Sequence, residues 1–141
     1  MQAQIVRIQR SNLALLRNVD PECFDEPIDL QRAIRCVSSA DNALMVAVID
    51  GLVIGQCLAI LHRHPDKASE VYLEDLAVTP ELQRLGLARS LVMACIGWGR
   101  EQGATAVWVA TEPGNDVANA FYRSLGLQER TAFVFDGLLR G

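Results

Sequence analysis

The run Val71–Ser90, Val-Tyr-Leu-Glu-Asp-Leu-Ala-Val-Thr-Pro-Glu-Leu-Gln-Arg-Leu-Gly-Leu-Ala-Arg-Ser, restricts the fold of this chain more than any other stretch. Val71 to Val78 is rich in β-branched and aromatic residues around two adjacent carboxylates, which predicts a strand. Thr79-Pro80 ends it, because proline has no N–H to give a sheet ladder. Leu87, Leu91, Val92, Cys95 and Ile96 then recur at helical spacing, predicting a helix from about Leu85 to Gln102 with Gly103 as its C-terminal cap. A strand, a short glycine-bearing loop and a helix start gather free backbone N–H groups at the positive end of a helix dipole. Such a place suits an anion such as a phosphate. The Gly-Lys-Ser/Thr ending of a Walker loop and the three spaced glycines of a dinucleotide fingerprint are both missing.

The 141 residues predict one domain, 1–141, long enough to bury a core. Half of them are hydrophobic and 21% charged, with a net charge of −4 and no lysine- or arginine-rich run. That balance speaks against nucleic acid and for a cationic small molecule as partner. Cys23, Cys36, Cys57 and Cys95 have no paired spacing, so they read as reduced thiols of a cytoplasmic protein, with no metal site. The start of the chain has no apolar signal core and no run approaches membrane-spanning length, so no membrane partner is expected.

Ile5, Val6 and Ile8 predict a first strand, and Leu13, Leu15, Leu16 and Val19 a helix beginning near Ser11-Asn12. Asp20 to Asp29 holds five carboxylates and no base, either a solvated loop or a negative rim that attracts a polycation; Asp25 and Glu26 lie within it. Leu30 to Val37 reads as a helix with Asp29 at its start. Leu44 to Ile49, the turn Asp50-Gly51 and Leu52 to Leu61 read as a hairpin. His62 and His64 lack a third ligand nearby and read as loop histidines. Later come a strand over Ala106 to Thr111, a turn at Glu112–Asn115, a short helix over Asp116 to Ser124, and a last strand over Thr131 to Phe135. This order predicts a mixed α/β (α+β) sheet with helices on its faces.

Two motifs carry a resemblance. Gln83-Arg84-Leu85-Gly86-Leu87-Ala88 fits the Q/R-x-x-G-x-G/A signature of the GNAT superfamily of acetyl-CoA-dependent N-acetyltransferases. Asn115, Ala118, Tyr122 and Leu125-Gly126 fit that family's later motif, and the likeness spans roughly Leu44 to Phe135. The resemblance implies about six strands and four helices, with a V-shaped splay between the central strands. It implies acetyl-CoA as cosubstrate, its pyrophosphate held by backbone N–H groups of Gln83, Arg84, Leu85, Gly86, Leu87, Ala88, Arg89 and Ser90. Leu76, Ala77 and Val78 would pair with the pantetheine arm, Asn115 would contact it, and Tyr122 would stand beside the thioester sulfur.

An amine nucleophile of pKa ~10 must lose a proton, and the leaving thiolate must gain one. Tyr122 is the expected acid. Glu74 and Asp75 alternate along a strand, so both reach one site only if a bulge re-aims the pair. Glu74 is expected as base through a water and Asp75 as holder of the substrate ammonium, with the reverse assignment as the alternative. Asp25 and Glu26 join Asp75 as expected substrate-binding residues. Val71–Val78 and the short end after Phe133-Val134-Phe135-Asp136 look like the GNAT-type aminoglycoside 3-N-acetyltransferases, although Glu74 departs from their pattern. The same run is similar to polyamine acetyltransferases. A peptide or protein amine acetyltransferase and a non-catalytic acetyl-CoA sensor are the alternatives. Room for a single terminal strand predicts a homodimer, in which a second copy covers the exposed edge.

Overall fold

Alternating strands and helices assemble as the apolar periodicities require. A computed structural model describes residues 2–83 and 85–140; Arg84, expected to bind the cofactor, lies outside the described residues. The elements are β1 (Gln4–Arg7), α1 (Leu30–Ser38), β2 (Asn42–Ile49), β3 (Leu52–His62), β4 (Glu70–Val78), α2 (Leu87–Glu101), β5 (Ala106–Trp108) and α3 (Asp116–Ser124). Short 3₁₀ helices cover Arg10–Arg17, Pro21–Cys23 and Pro80–Leu82. The chain divides into two compact units, Met1–Ala110 and Thr111–Gly141.

The first unit contains a mixed sheet in the order β1-β2-β3-β4-β5. Its first three pairings are antiparallel and the β4–β5 pairing is parallel. Asp50 and Gly51 join β2 to β3 with φ of 50° and 81°, the left-handed pair that a two-residue hairpin turn needs. Asp29 caps α1, accepting from the N–H of Gln31 at 2.9 Å and of Arg32 at 3.1 Å. Gly103, at φ 88°, follows α2 as expected.

Each face of the sheet has its own cover. Leu91, Val92, Cys95 and Trp98 of α2 are buried, and the Cys95 thiol donates to the Cys57 carbonyl. Met45 and Ala43 are the register partners of Cys57 and Ala59, so they share the α2 face. On the other face Leu44, Val46 and Val53 are buried with Ile8 and Leu16, against Leu30, Ala33 and Val37 of α1.

The expected six strands are five among the described residues. Thr131 to Phe135 is not a strand: residues 127–140 hold no regular structure, and Phe133, Val134 and Phe135 are 87%, 77% and 93% exposed. The strand expected over Ala106–Thr111 stops at Trp108. The first helix is 3₁₀ rather than α. Asn12 sits inside it at non-helical φ −123°, its side chain accepting from the Gln9 N–H and donating to the Arg7 carbonyl. Val19 instead forms an isolated parallel bridge to Val53.

Pairing between β4 and β5 covers only Glu70, Val71 and Tyr72 against Ala106, Val107 and Trp108. Beyond Tyr72 the β4 edge has no partner in β5. The pairing ends where β5 itself ends, at Trp108.

Candidate active site

The phase of β4 changes at Glu74. Ala59 pairs with Leu73 and Leu58 with Asp75, so Glu74 is an extra residue bulged out of the ladder. Were Glu74 paired with Leu58 instead of bulged, Asp75 would face Cys57 in the apolar core under α2. With the bulge Asp75 lies opposite Leu58, on the same face as Tyr72 and Gln56. Glu74 itself is exposed, and the Tyr72 hydroxyl donates to its carboxylate. Burial, followed by the Glu74 charge and that hydrogen bond, raises the Tyr72 phenol above its ordinary value. The Tyr72 ring packs against Trp108, centroids 4.3 Å apart, and stacks on His62 at 5.5 Å.

Asp75 is half-buried and fixed at both oxygens. One accepts from Gln56 Nε2 at 2.7 Å, the other from the Leu76 N–H at 3.0 Å. The carboxylate lines a cleft of about 250 Å³ whose walls include Phe24, Ile28, Ala33 and Leu58, with Glu26 at its side. A second cleft of about 450 Å³ shares Phe24, Glu26 and Ile28 with the first and adds Asp20 and Asp25. Arg32 lines one cleft and Arg17 the other, so carboxylates outnumber cations in both. Apolar walls with a surplus of negative charge suit an organic cation.

Four of the five carboxylates of the acidic loop divide by task. Asp20 accepts from the Glu22 N–H and from Thr79 Oγ1, both at 2.9 Å, and Asp29 caps α1, so these two are structural. Glu26 and Asp25 line the clefts. His64 pairs with Glu70 at 3.1 Å, and the described residues contain no group of three His, Cys, Asp or Glu able to hold a metal ion.

The cofactor-binding expectation falls on the turn between β4 and α2. Gln83 Nε2 donates back to the Val78 carbonyl at 3.0 Å, and Gly86, the N-cap of α2, takes φ 78°. Among the described residues no side chain caps this helix start, and a Cβ added at Gly86 would meet nothing within 4 Å. Leu87, Ala88, Arg89 and Ser90 form the first turn, preceded by exposed Leu85. Leu76, Ala77 and Val78 belong to the β4 segment beyond the β5 pairing. Open backbone N–H groups and an unpaired strand edge fit a phosphate-bearing, amide-bearing ligand.

In the second unit, Asn115 Oδ1 caps α3 by accepting from the Ala118 N–H at 3.2 Å. Asn119 anchors the preceding turn by donating to the Glu112 carbonyl at 3.1 Å. Tyr122 lies on α3, edge-on to Phe121 with centroids 5.1 Å apart. The sequence reading overlooked Gln56 and Tyr72. Gln56 had a visible signal, a polar residue midway along the apolar run Leu52–Leu61.

Residues 8–127 match the acetyltransferase (GNAT) family, and the chain belongs to it. It is 30% identical over 105 residues to aminoglycoside N(6')-acetyltransferase type 1 of Salmonella typhimurium, covering 70% of this chain and 72% of that protein. It is 37% identical over 62 residues to the ribosomal protein bS18-alanine N-acetyltransferase of Escherichia coli, covering 44% and 42%. Its fold matches that of AAC(6')-Iy in complex with the bisubstrate analogue CoA-S-monomethyl-acetylneamine, with TM-score 0.84, 22% identity and coverage of 99% and 100%. Both aminoglycoside relatives carry the 6' position in their names, where the sequence resemblance pointed to the 3-N type. No helix among the described residues is long and apolar enough to cross a membrane.

Proposed function

We propose that this chain transfers an acetyl group from acetyl-CoA to a primary amine of a cationic small molecule, first of all an aminoglycoside, by direct attack in a ternary complex. The observation that carries the reading is the Glu74 bulge, which sets Asp75 in an acid-rimmed, apolar-walled cleft of a GNAT-family chain.

Backbone groups of Gln83–Ser90 hold the pyrophosphate in this reading, while Leu76, Ala77, Val78 and Asn115 hold the pantetheine. Acetyl-CoA supplies an activated thioester carbonyl. Asp75, with Glu26 and Asp25 at the rim, attracts the ammonium and orients it. Glu74 takes the proton through a water, which frees the amine lone pair for attack. Tyr122 gives a proton to the departing sulfur. The free thiols of Cys23, Cys36, Cys57 and Cys95 accord with work in the cytoplasm. The exposed apolar residues 133–135 support a homodimer in which a second copy covers them, and a monomeric sedimentation profile at micromolar protein refutes that state.

The roles are tested by Tyr122→Phe and Asp75→Asn. Tyr122→Phe is expected to lower kcat roughly a hundredfold, in the range of one general acid, with acetyl-CoA affinity kept. Asp75→Asn is expected to raise the acceptor KM. Unchanged turnover in both variants refutes the assignment. The relative that acts on a ribosomal protein alanine supports a second reading, an N-terminal peptide as acceptor.

A further inference from the structure

Gln56 is almost fully buried, at 1% exposure, in the middle of β3. Its Nε2 donates twice, to Asp75 Oδ2 at 2.7 Å and to the Cys23 carbonyl at 3.1 Å. The opposite orientation of the amide would aim its oxygen at two acceptors, so these partners fix which way it points. Its Oε1 is buried without a hydrogen-bond partner among the described residues. A buried acceptor left unmatched is costly, and an apolar side chain of that size would avoid the cost. The molecule keeps the glutamine, and what it gains is two N–H groups on one carboxylate and one loop carbonyl.

Those two acceptors belong to different segments of the chain that reach the clefts. Asp75 is on β4, and Cys23 begins the segment that carries Asp25 and Glu26. A second latch lies beside the first. The buried Cys23 thiol is 3.6 Å from Thr79 Oγ1, which donates to Asp20 Oδ2 at 2.9 Å. The acidic loop is thereby tied at two points, through Gln56 to Asp75 on β4 and through Thr79 just beyond that strand, and the Gln56 tie ends on the carboxylate that lines the smaller cleft beside Glu26.

We infer that Gln56 is a positioning residue for acceptor binding: it holds the Asp75 carboxylate in register with the acidic loop. The inference rests on the reading of Asp75 as the group that meets the substrate ammonium. A hydrogen bond to a carboxylate is stronger than one between neutral groups, so its loss is felt where that carboxylate acts.

The test is a double-mutant cycle on the full chain with Gln56→Met, Asp75→Ala and the pair, read as KM and kcat for an amine acceptor such as kanamycin or spermidine. Methionine keeps the length and apolar volume of glutamine, and acetyl-CoA affinity checks that each variant is folded. Gln56→Met is expected to raise the acceptor KM on the order of tenfold, the worth of one hydrogen bond to a charged group, with kcat and the acetyl-CoA KM nearly unchanged. In the Asp75→Ala background the same substitution is expected to add no further loss. An equal penalty in both backgrounds marks a merely structural glutamine and overturns the inference, as does a Gln56→Met protein with wild-type KM. A wild-type protein that turns over no amine overturns the functional reading and this inference with it, a result distinct from either of those.

Discussion

Two glycines of α2 stand two residues apart and are expected to answer the same substitution with opposite signs. A Cβ at Gly97 would meet nothing within 4 Å, whereas a Cβ at Gly99 would collide with Val71 Cγ2 and lie 3.4 Å from Val71 Cβ. Alanine in a helix interior is favoured over glycine by about 1 kcal/mol, so Gly97→Ala is expected to stabilise by about that much. At Gly99 the same gain is opposed by overpacking, about 1–3 kcal/mol. Val71 is 2% exposed, and its branched side chain has one strongly preferred rotamer, so relief is limited. That puts the overpacking in the upper part of its range, about 2–3 kcal/mol, so the net expectation for Gly99→Ala is a loss of about 1–2 kcal/mol. At about 3–4 °C per kcal/mol for a chain of this size, thermal melts followed by circular dichroism should fall by roughly 3–8 °C for Gly99→Ala. They should rise by about 3 °C for Gly97→Ala. Val71→Ala in the Gly99→Ala background removes the colliding methyl and should restore part of the loss. Equal melting of the two glycine variants would refute the close approach of α2 to β4 at Val71.

The register of the bulge makes a further prediction. Deleting Glu74 leaves Leu58–Asp75 and Ala59–Leu73 as consecutive pairs, so the variant is expected to fold with Asp75 still on the cleft face, melting within a few degrees of wild type, while losing turnover with the base. A chain that fails to fold contradicts that register. Alkaline stability follows from the buried thiols and phenol. Burial raises Cys23 and Cys36, the Cys95 thiol and burial raise Cys57, and burial with Glu74 raises Tyr72, from ordinary values of 9.0 and 10.0. The unfolded chain therefore releases these protons first. Stability is complete below pH 9 and falls as pH climbs past 9 and 10, and Tyr72→Phe should flatten the part of that fall near and above pH 10 in urea titrations. A stability that is level from pH 8 to 11 contradicts the burial of these groups.

Local signals were legible where a residue acts on its own backbone. Asp50-Gly51 specifies its turn by left-handed φ values, Asp29 caps α1, and the helical spacing of Leu91, Val92 and Cys95 names the buried face of α2. The location of the Glu74 bulge was not legible, because register depends on β3 as much as on β4. The same holds at the C-terminus. Thr131 to Phe135 has the composition of a strand, yet composition does not supply an edge to pair with. Asn12 turned an expected α-helix into 3₁₀ by bonding the Arg7 carbonyl and the Gln9 N–H, a competition between side chain and backbone that spacing alone does not weigh. In the site, Glu74, Asp75 and Glu26 were readable as charges within apolar or acidic runs. Gln56 was visible only as one polar residue within the apolar run Leu52–Leu61, and its meaning appears when Asp75 is brought beside it.

The most direct test of the central claim is thiol release from acetyl-CoA by the wild-type protein with a panel of amines. The panel holds kanamycin- and gentamicin-like aminoglycosides, spermidine and N-terminal peptides. The account predicts turnover that depends on a cationic amine and is fastest with an aminoglycoside. Absence of thiol release with every amine, or release that a neutral acceptor supports equally well, would contradict it.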